Sequence, residues 1–109
     1  MHPENRIAHN ETLFRDVNER IEAGQWPTQR SEPVAFRCEC GSLRCNMLVE
    51  VTIEEYEHVR ATATHFLLVP GHEIPAIERV VERESDYVVV EKAGEAAEVA
   101  EETDPRDDC

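Results

Sequence analysis

The chain has 109 residues and a formal net charge of −13, from 24 acidic against 11 basic side chains. That balance argues against binding a phosphate backbone, which calls for a basic face. No apolar run is long enough for a membrane span, and the first residues lack the basic-then-apolar layout of a secretory signal, so a cytoplasmic, reducing setting is expected.

Residues 1–9 read as a disordered N-terminus. From Asn10 to Ala23 the pattern is helical: Asn10 suits the cap, Glu11 the positive end of the helix dipole, and Gly24 the stop. Phe14, Val17 and Ile21 form one narrow apolar stripe, which Ile7 extends by a heptad. Such a helix either docks on its own domain or pairs with a protein partner or a second copy through that stripe. Residues 24–33 hold two prolines and the only tryptophan, Trp26, and read as a linker in which Trp26 anchors the chain to the core.

The next stretch organises everything after it. Val34–Arg37 reads as a short strand, and it runs into Cys38, Cys40 and Cys45, spaced C-x-C-x4-C, with Gly41 at the turn. Three thiols that close in a reducing compartment point to a metal ion, and zinc is the ion that takes four sulfur or nitrogen ligands in a tetrahedron. Met47–Val51 returns as a second strand, so the unit resembles half of a zinc ribbon. Cys109, the last residue, stands behind an acidic tail and is badly placed to complete the set. The fourth ligand is therefore sought among the histidines. His72, in the loop Val69-Pro70-Gly71-His72-Glu73, is preferred over His65, on a strand face, and over His58, His2 and His9.

Thr52-Ile53-Glu54-Glu55 is a capping box, opening a helix to about Ala63 that turns Ile53, Tyr56, Val59 and Ala63 inward and leaves His58 in solvent. His65–Val69 reads as a strand ended by Pro70-Gly71. Residues 77–83 and 87–92 read as a hairpin, although 74–79 also suits a helical turn. Ala93–Glu102 favours a short Ala-rich helix, and 103–109 reads as a disordered acidic tail.

Several stretches resemble an uncharacterised family of small actinobacterial-type proteins. They are Phe14–Glu22, Phe36-Arg37-Cys38-Glu39-Cys40 with Cys45, Glu55-Tyr56-Glu57 with Val59-Arg60, Pro70-Gly71-His72-Glu73, and Tyr87–Lys92 through Asp104-Pro105-Arg106. The resemblance implies a bacterial protein in which the Cys cluster and the Pro-Gly-His-Glu loop belong together. It implies no activity, substrate or partner.

The expectation is thus an α+β domain over 34–102: a zinc-ribbon-like knuckle, an antiparallel sheet, one capped helix, an N-terminal helix over 10–23 and a short C-terminal helix. Once the tails are set aside, a core of about 60–70 residues is small enough to gain from a metal. Zinc on Cys38, Cys40, Cys45 and His72 is the expected cofactor, in a non-enzymatic interaction or regulatory module. Two other readings stand beside it: a small zinc hydrolase with Glu73 as general base, and a thiol-based redox or metal sensor.

Overall fold

A computed structural model describes residues 3–25 and 31–106. Trp26, and with it the anchoring role expected of it, lies outside the described residues, as do His2 and Cys109. The elements follow one another as α1 (Pro3–Ala23), β1 (Pro33–Arg37), β2 (Leu48–Thr52), α2 (Ile53–Arg60), β3 (His65–Leu68), β4 (Glu78–Arg83), β5 (Val88–Lys92) and α3 (Gly94–Glu102). The chain is α+β, with three helices, two small antiparallel sheets and the Cys knuckle. Among the described residues no helix is long and apolar enough to cross a membrane.

The strands divide between a β1–β2 hairpin and a three-stranded sheet in the order β3-β5-β4, where one sheet was expected. In the hairpin Phe36 stands opposite Val49. In the second sheet β5 is central, which explains why Val88, Val89 and Val90 are all buried rather than alternating. The β4–β5 register shifts at Val80–Glu82. One core joins both sheets to α2: Phe36 stacks on Tyr56 with ring centroids 4.3 Å apart, and Val51, Val59, Phe66, Leu67 and Leu68 close around them. A smaller apolar cluster of Ile77 and Ala96 takes in Ile7, Ile74 and Val99.

The capping box is present in full. Thr52 Oγ1 accepts from the Glu55 amide at 3.0 Å, and Glu55 Oε1 accepts from the Thr52 amide at 2.8 Å. The helix it opens ends at Arg60, earlier than Ala63, because the chain turns at Thr62 to feed β3. His58 is exposed as expected and meets Glu82 at 2.8 Å.

Three expectations give way around α1. The helix starts at Pro3 rather than Asn10, so residues 3–9 are helical where disorder was expected. Proline suits a first turn, whose amides lack helical partners in any case, and Ile7 gains burial in the smaller apolar cluster. Next, the buried stripe is Glu11, Phe14, Arg15 and Asn18, at i, i+3, i+4 and i+7, while Leu13 and Val17 point to solvent at 58% and 39% exposure. Lastly, the chain beyond α3 is fastened where a disordered tail was expected. Asp104 binds Arg60, and Arg106 reaches Glu19 at 2.9 Å, Glu57 at 2.9 Å and Glu22 at 3.3 Å. Residues 107–109 lie outside the described residues.

Candidate metal centre

Cys38 continues the line of β1, its amide donating to Met47 O at 3.1 Å. Glu39 then crosses to the open edge of β3: its amide donates to Leu67 O at 2.8 Å, and its carboxylate accepts from the Leu67 amide at 2.9 Å. One residue on, the Val69 amide donates to Cys38 Sγ at 3.2 Å. The knuckle therefore covers an edge that would otherwise leave backbone groups unpaired.

Gly41 turns the chain with φ +80°, and a Cβ there would come within 2.7 Å of Glu11 Cγ and 2.8 Å of Ile7 O. Both the left-handed backbone and the closeness of α1 call for glycine. The Cys45 amide donates to Ser42 O at 3.1 Å, bringing the third thiol back over the first two. Arg37 steadies it by donating to Cys45 O at 2.8 Å while its guanidinium lies 3.7 Å from the centroid of the Phe14 ring.

His72 arrives from the other side of the cluster. Val69-Pro70-Gly71-His72 is a β-turn in which the His72 amide donates to Val69 O at 3.1 Å. Proline at its second position and Gly71 at φ +93° at its third match a type II turn. The turn follows directly on β3, so the strand that carries the Cys38 contact also sets the histidine.

The four expected residues come together. One ligand atom from each of Cys38, Cys40, Cys45 and His72 lies within 4.8 Å of all the others. His72 Nδ1 is 3.5 Å from Cys38 Sγ and 3.7 Å from Cys45 Sγ. A tetrahedral metal bound at typical lengths puts sulfur and nitrogen about 3.6 Å apart, so these spacings fit such an ion. Cys38 and Cys40 are buried, whereas Cys45 and His72 are half-buried.

The electrostatics suit a cation. The hydrogen bond between Cys38 and Cys40, together with burial, pushes the Cys38 thiol up, and the same bond pulls the Cys40 thiol down. Of the pair, Cys40 is the one that gives up its proton more readily.

The sequence offered Glu39 only as part of the Phe36–Cys40 stretch and gave it no role, yet it is fully buried between two of the thiols. Burial pushes its carboxyl up, opposed by donors from Leu67, Asn18 and Tyr56. Tyr56 Oη donates to Glu39 Oε2 at 2.7 Å; burial, then the adjacent Glu39, raises the phenol and keeps it protonated. Asn18 Nδ2 donates to the same oxygen at 2.8 Å and to Arg37 O at 2.7 Å, while its Oδ1 accepts from the Arg37 amide at 2.7 Å. Asn18 thus pairs with the β1 backbone as a neighbouring strand would. Glu39 ties the Cys-x-Cys segment to α1, α2 and β3 at once, an arrangement that fixes the ligands' backbone. The available signal was its position alone: an acid between two clustered cysteines.

The other candidates are placed elsewhere. His65 Nε2 meets Glu91 at 3.3 Å, on the other sheet. His9 is exposed on α1. Glu73 turns its Oε1 to the Gly71 amide at 2.9 Å, bracing its own loop. Of the apolar stripe expected on α1, Phe14 is buried under Arg37 and Ile21 packs against the core, leaving Val17 outermost.

A groove of about 690 Å³ opens at the cluster, lined by Ile7, Met47 and Ile74 together with Cys40, Cys45 and His72.

No protein-family model, curated protein or solved structure matches this chain.

Proposed function

We propose that the chain is a non-enzymatic interaction or regulatory module of the bacterial cytosol, its fold stabilised by zinc on Cys38, Cys40, Cys45 and His72. The observation that carries this reading is the convergence of three thiols and one imidazole within 4.8 Å. Three sulfurs and one nitrogen in a tetrahedral array suit zinc, and four protein ligands leave it no position for a reactive water. Glu73 has its carboxylate bonded to Gly71, which supports a bracing role over that of a base. Binding zinc would lock together the β1–β2 turn and the β3 turn, two segments about thirty residues apart in sequence. For a protein partner, α1 presents Leu13 and Val17 outward.

The experiment is metal analysis of the reduced protein followed by X-ray absorption. One zinc per chain is expected, with three sulfurs near ~2.3 Å and one nitrogen near ~2.0 Å. His72→Ala should lower zinc affinity far more than His65→Ala. Equal affinities in wild type and His72→Ala overturn the ligand assignment, and a water in place of the imidazole overturns the non-enzymatic reading.

A further inference from the structure

The four candidate ligands are unequally sheltered. Cys38 is fully buried, and the Val69 amide points at its sulfur. Cys40 and Cys45, by contrast, line the groove, with Cys45 the more exposed of the two. The groove is wide enough for a small oxidant to reach them. Between them lie only Gly41, Ser42, Leu43 and Arg44, in a loop outside any helix or strand, so the two sulfurs can close up without unpairing a sheet. Cys38 has no such freedom, because its amide is bonded to Met47 and its neighbour Glu39 is bonded on all sides.

We propose that the groove makes this centre a peroxide-sensitive switch, in which Cys45 is oxidised first and Cys40 resolves it as a disulfide, releasing the metal. The proposal rests on the zinc reading above. Cys45 Sγ, a thiolate while it is a ligand, attacks the terminal oxygen of a hydroperoxide. An S–O bond forms, the O–O bond breaks, and the leaving oxygen takes a proton from water. Cys40 Sγ then attacks the Cys45 sulfur; the S–S bond forms, and hydroxide leaves and is protonated. The two sulfurs together give up two electrons, and hydrogen peroxide becomes two waters. Two of the four ligands are then lost, and Cys38 and His72 alone hold zinc poorly. A dithiol reductant reverses the change.

The switch also gives the exposed apolar residues beside the knuckle a setting. Leu43 and Arg44 lie inside the six-residue ring that the disulfide closes, and Leu43 is 75% exposed, with Met47 and Leu48 just beyond. Closing the ring rearranges that surface while Cys38, Glu39 and the β3 edge keep their bonds.

The test uses the full-length protein, reduced and loaded with zinc, treated with one equivalent of hydrogen peroxide. Zinc release is followed with a chromogenic chelator and the disulfide is mapped by mass spectrometry. Zinc should leave in step with a Cys40–Cys45 disulfide, the protein about 2 Da lighter than its reduced thiol form, and dithiol plus zinc should restore it. Met47→Trp, which narrows the groove and replaces no ligand, should slow release several-fold at unchanged zinc content. Zinc retained under a tenfold excess of peroxide overturns the switch while leaving the zinc module standing. A disulfide through Cys38 or Cys109 formed ahead of Cys40–Cys45, or an unslowed Met47→Trp, overturns the route. A reduced protein that holds no zinc overturns both readings at once.

Discussion

Helix α1 is fastened to the two sheets by opposite chemistry. On the knuckle side the fasteners are neutral amides: Asn10 Nδ2 donates to Gly41 O at 3.0 Å, and Asn18 pairs with the Arg37 backbone. On the side of the three-stranded sheet they are buried charges. Lys92 bonds Glu11 from α1 and Glu78 from β4, with all three side chains at 1% exposure or less. Arg15 donates to Ala63 O at 2.7 Å and Ala100 O at 3.0 Å, and Phe66 lies between the two cations, 4.7 Å from Arg15 and 5.0 Å from Lys92. Amides satisfy backbone groups at every ordinary pH. Buried ions do so only while each keeps its counter-charge, and here two carboxylates share one ammonium. The backbone pairing of Asn10 and Asn18 is therefore independent of pH, whereas the Lys92 triad is not.

Removing the metal should break the comparison hardest. Structural zinc contributes apparent energies of about 10–16 kcal/mol in small finger peptides. A chelator should thus lower the thermal midpoint by more than about 10 °C. Hydrogen exchange should show the turn amides of Cys45 and His72 losing protection first, while Val88–Val90 in the central strand hold theirs. Simultaneous loss in both sheets means that the two regions unfold as one unit.

Lys92→Met strikes the charged side. It strands Glu11 and Glu78 without a cation and should cost about 3–5 kcal/mol in urea unfolding. Arg79→Met removes one partner of Glu91 on the same sheet, but Arg79 is 75% exposed, so that change should leave the urea midpoint almost unmoved. Equal costs would show that burial of the triad is not what matters.

Asn18→Ala strikes the neutral side. It leaves Arg37 N–H and C=O unpaired and takes one donor from Glu39, which should cost about 1–3 kcal/mol. Because Glu39 stands between two ligands, zinc affinity should fall about tenfold as well. A stability loss with unchanged affinity would make the clamp a matter of packing alone.

The effect on pH dependence is no larger. Burial, opposed by Lys92, raises the Glu11 carboxyl from 4.5 to about 7, with Cys40 and Glu39 adding to the rise and Glu78 facing the same ammonium. The folded state thus binds this proton more tightly than the unfolded chain. Its stabilising contribution is complete below about 4.5 and is lost as pH rises through about 7, amounting to about 1–3 kcal/mol. Glu22, desolvated and hydrogen-bonded to Glu57, titrates over the same window. The Glu11 part is read as the difference between wild type and Glu11→Gln at matched pH and saturating zinc, which cancels proton release at the thiols. Parallel curves would remove Glu11 from the account.

Local chemistry was legible in the sequence. Thr52 and Glu55 cap α2 whatever surrounds them, three cysteines in eight residues have few other uses, and the Pro70-Gly71 turn that delivers His72 is written in adjacent residues. The misreadings concern where an element turns its face. On α1 an apolar stripe was expected to make the contact, with its own domain or with another chain, yet its neighbours offer backbone carbonyls, an open strand and Lys92. Glu11, Arg15 and Asn18 are buried because those groups need partners, and Leu13 is left in solvent. A partner about eighty residues away gives no local periodicity to read. The same reason hid the roles of Asp104 and Arg106, whose ion-pair partners lie far back in the chain.

Those distant partners also have a consequence for biosynthesis. Glu19, Glu22 and Glu57 crowd one another, and Arg60 has its guanidinium fully buried against Glu19 and Asp104. Arg106, which binds all three acids, is made 87 residues after Glu19. At about 5–20 residues per second, a ribosome takes roughly 4–17 s to cover that span. Within that interval Arg60, made 41 residues after Glu19, is the first cation to meet the nascent helix, and Arg106 adds the second. Neutralisation of Glu19, Glu22 and Glu57 is therefore completed only when Arg106 arrives, so the contact between α1 and α2 is finished late in synthesis.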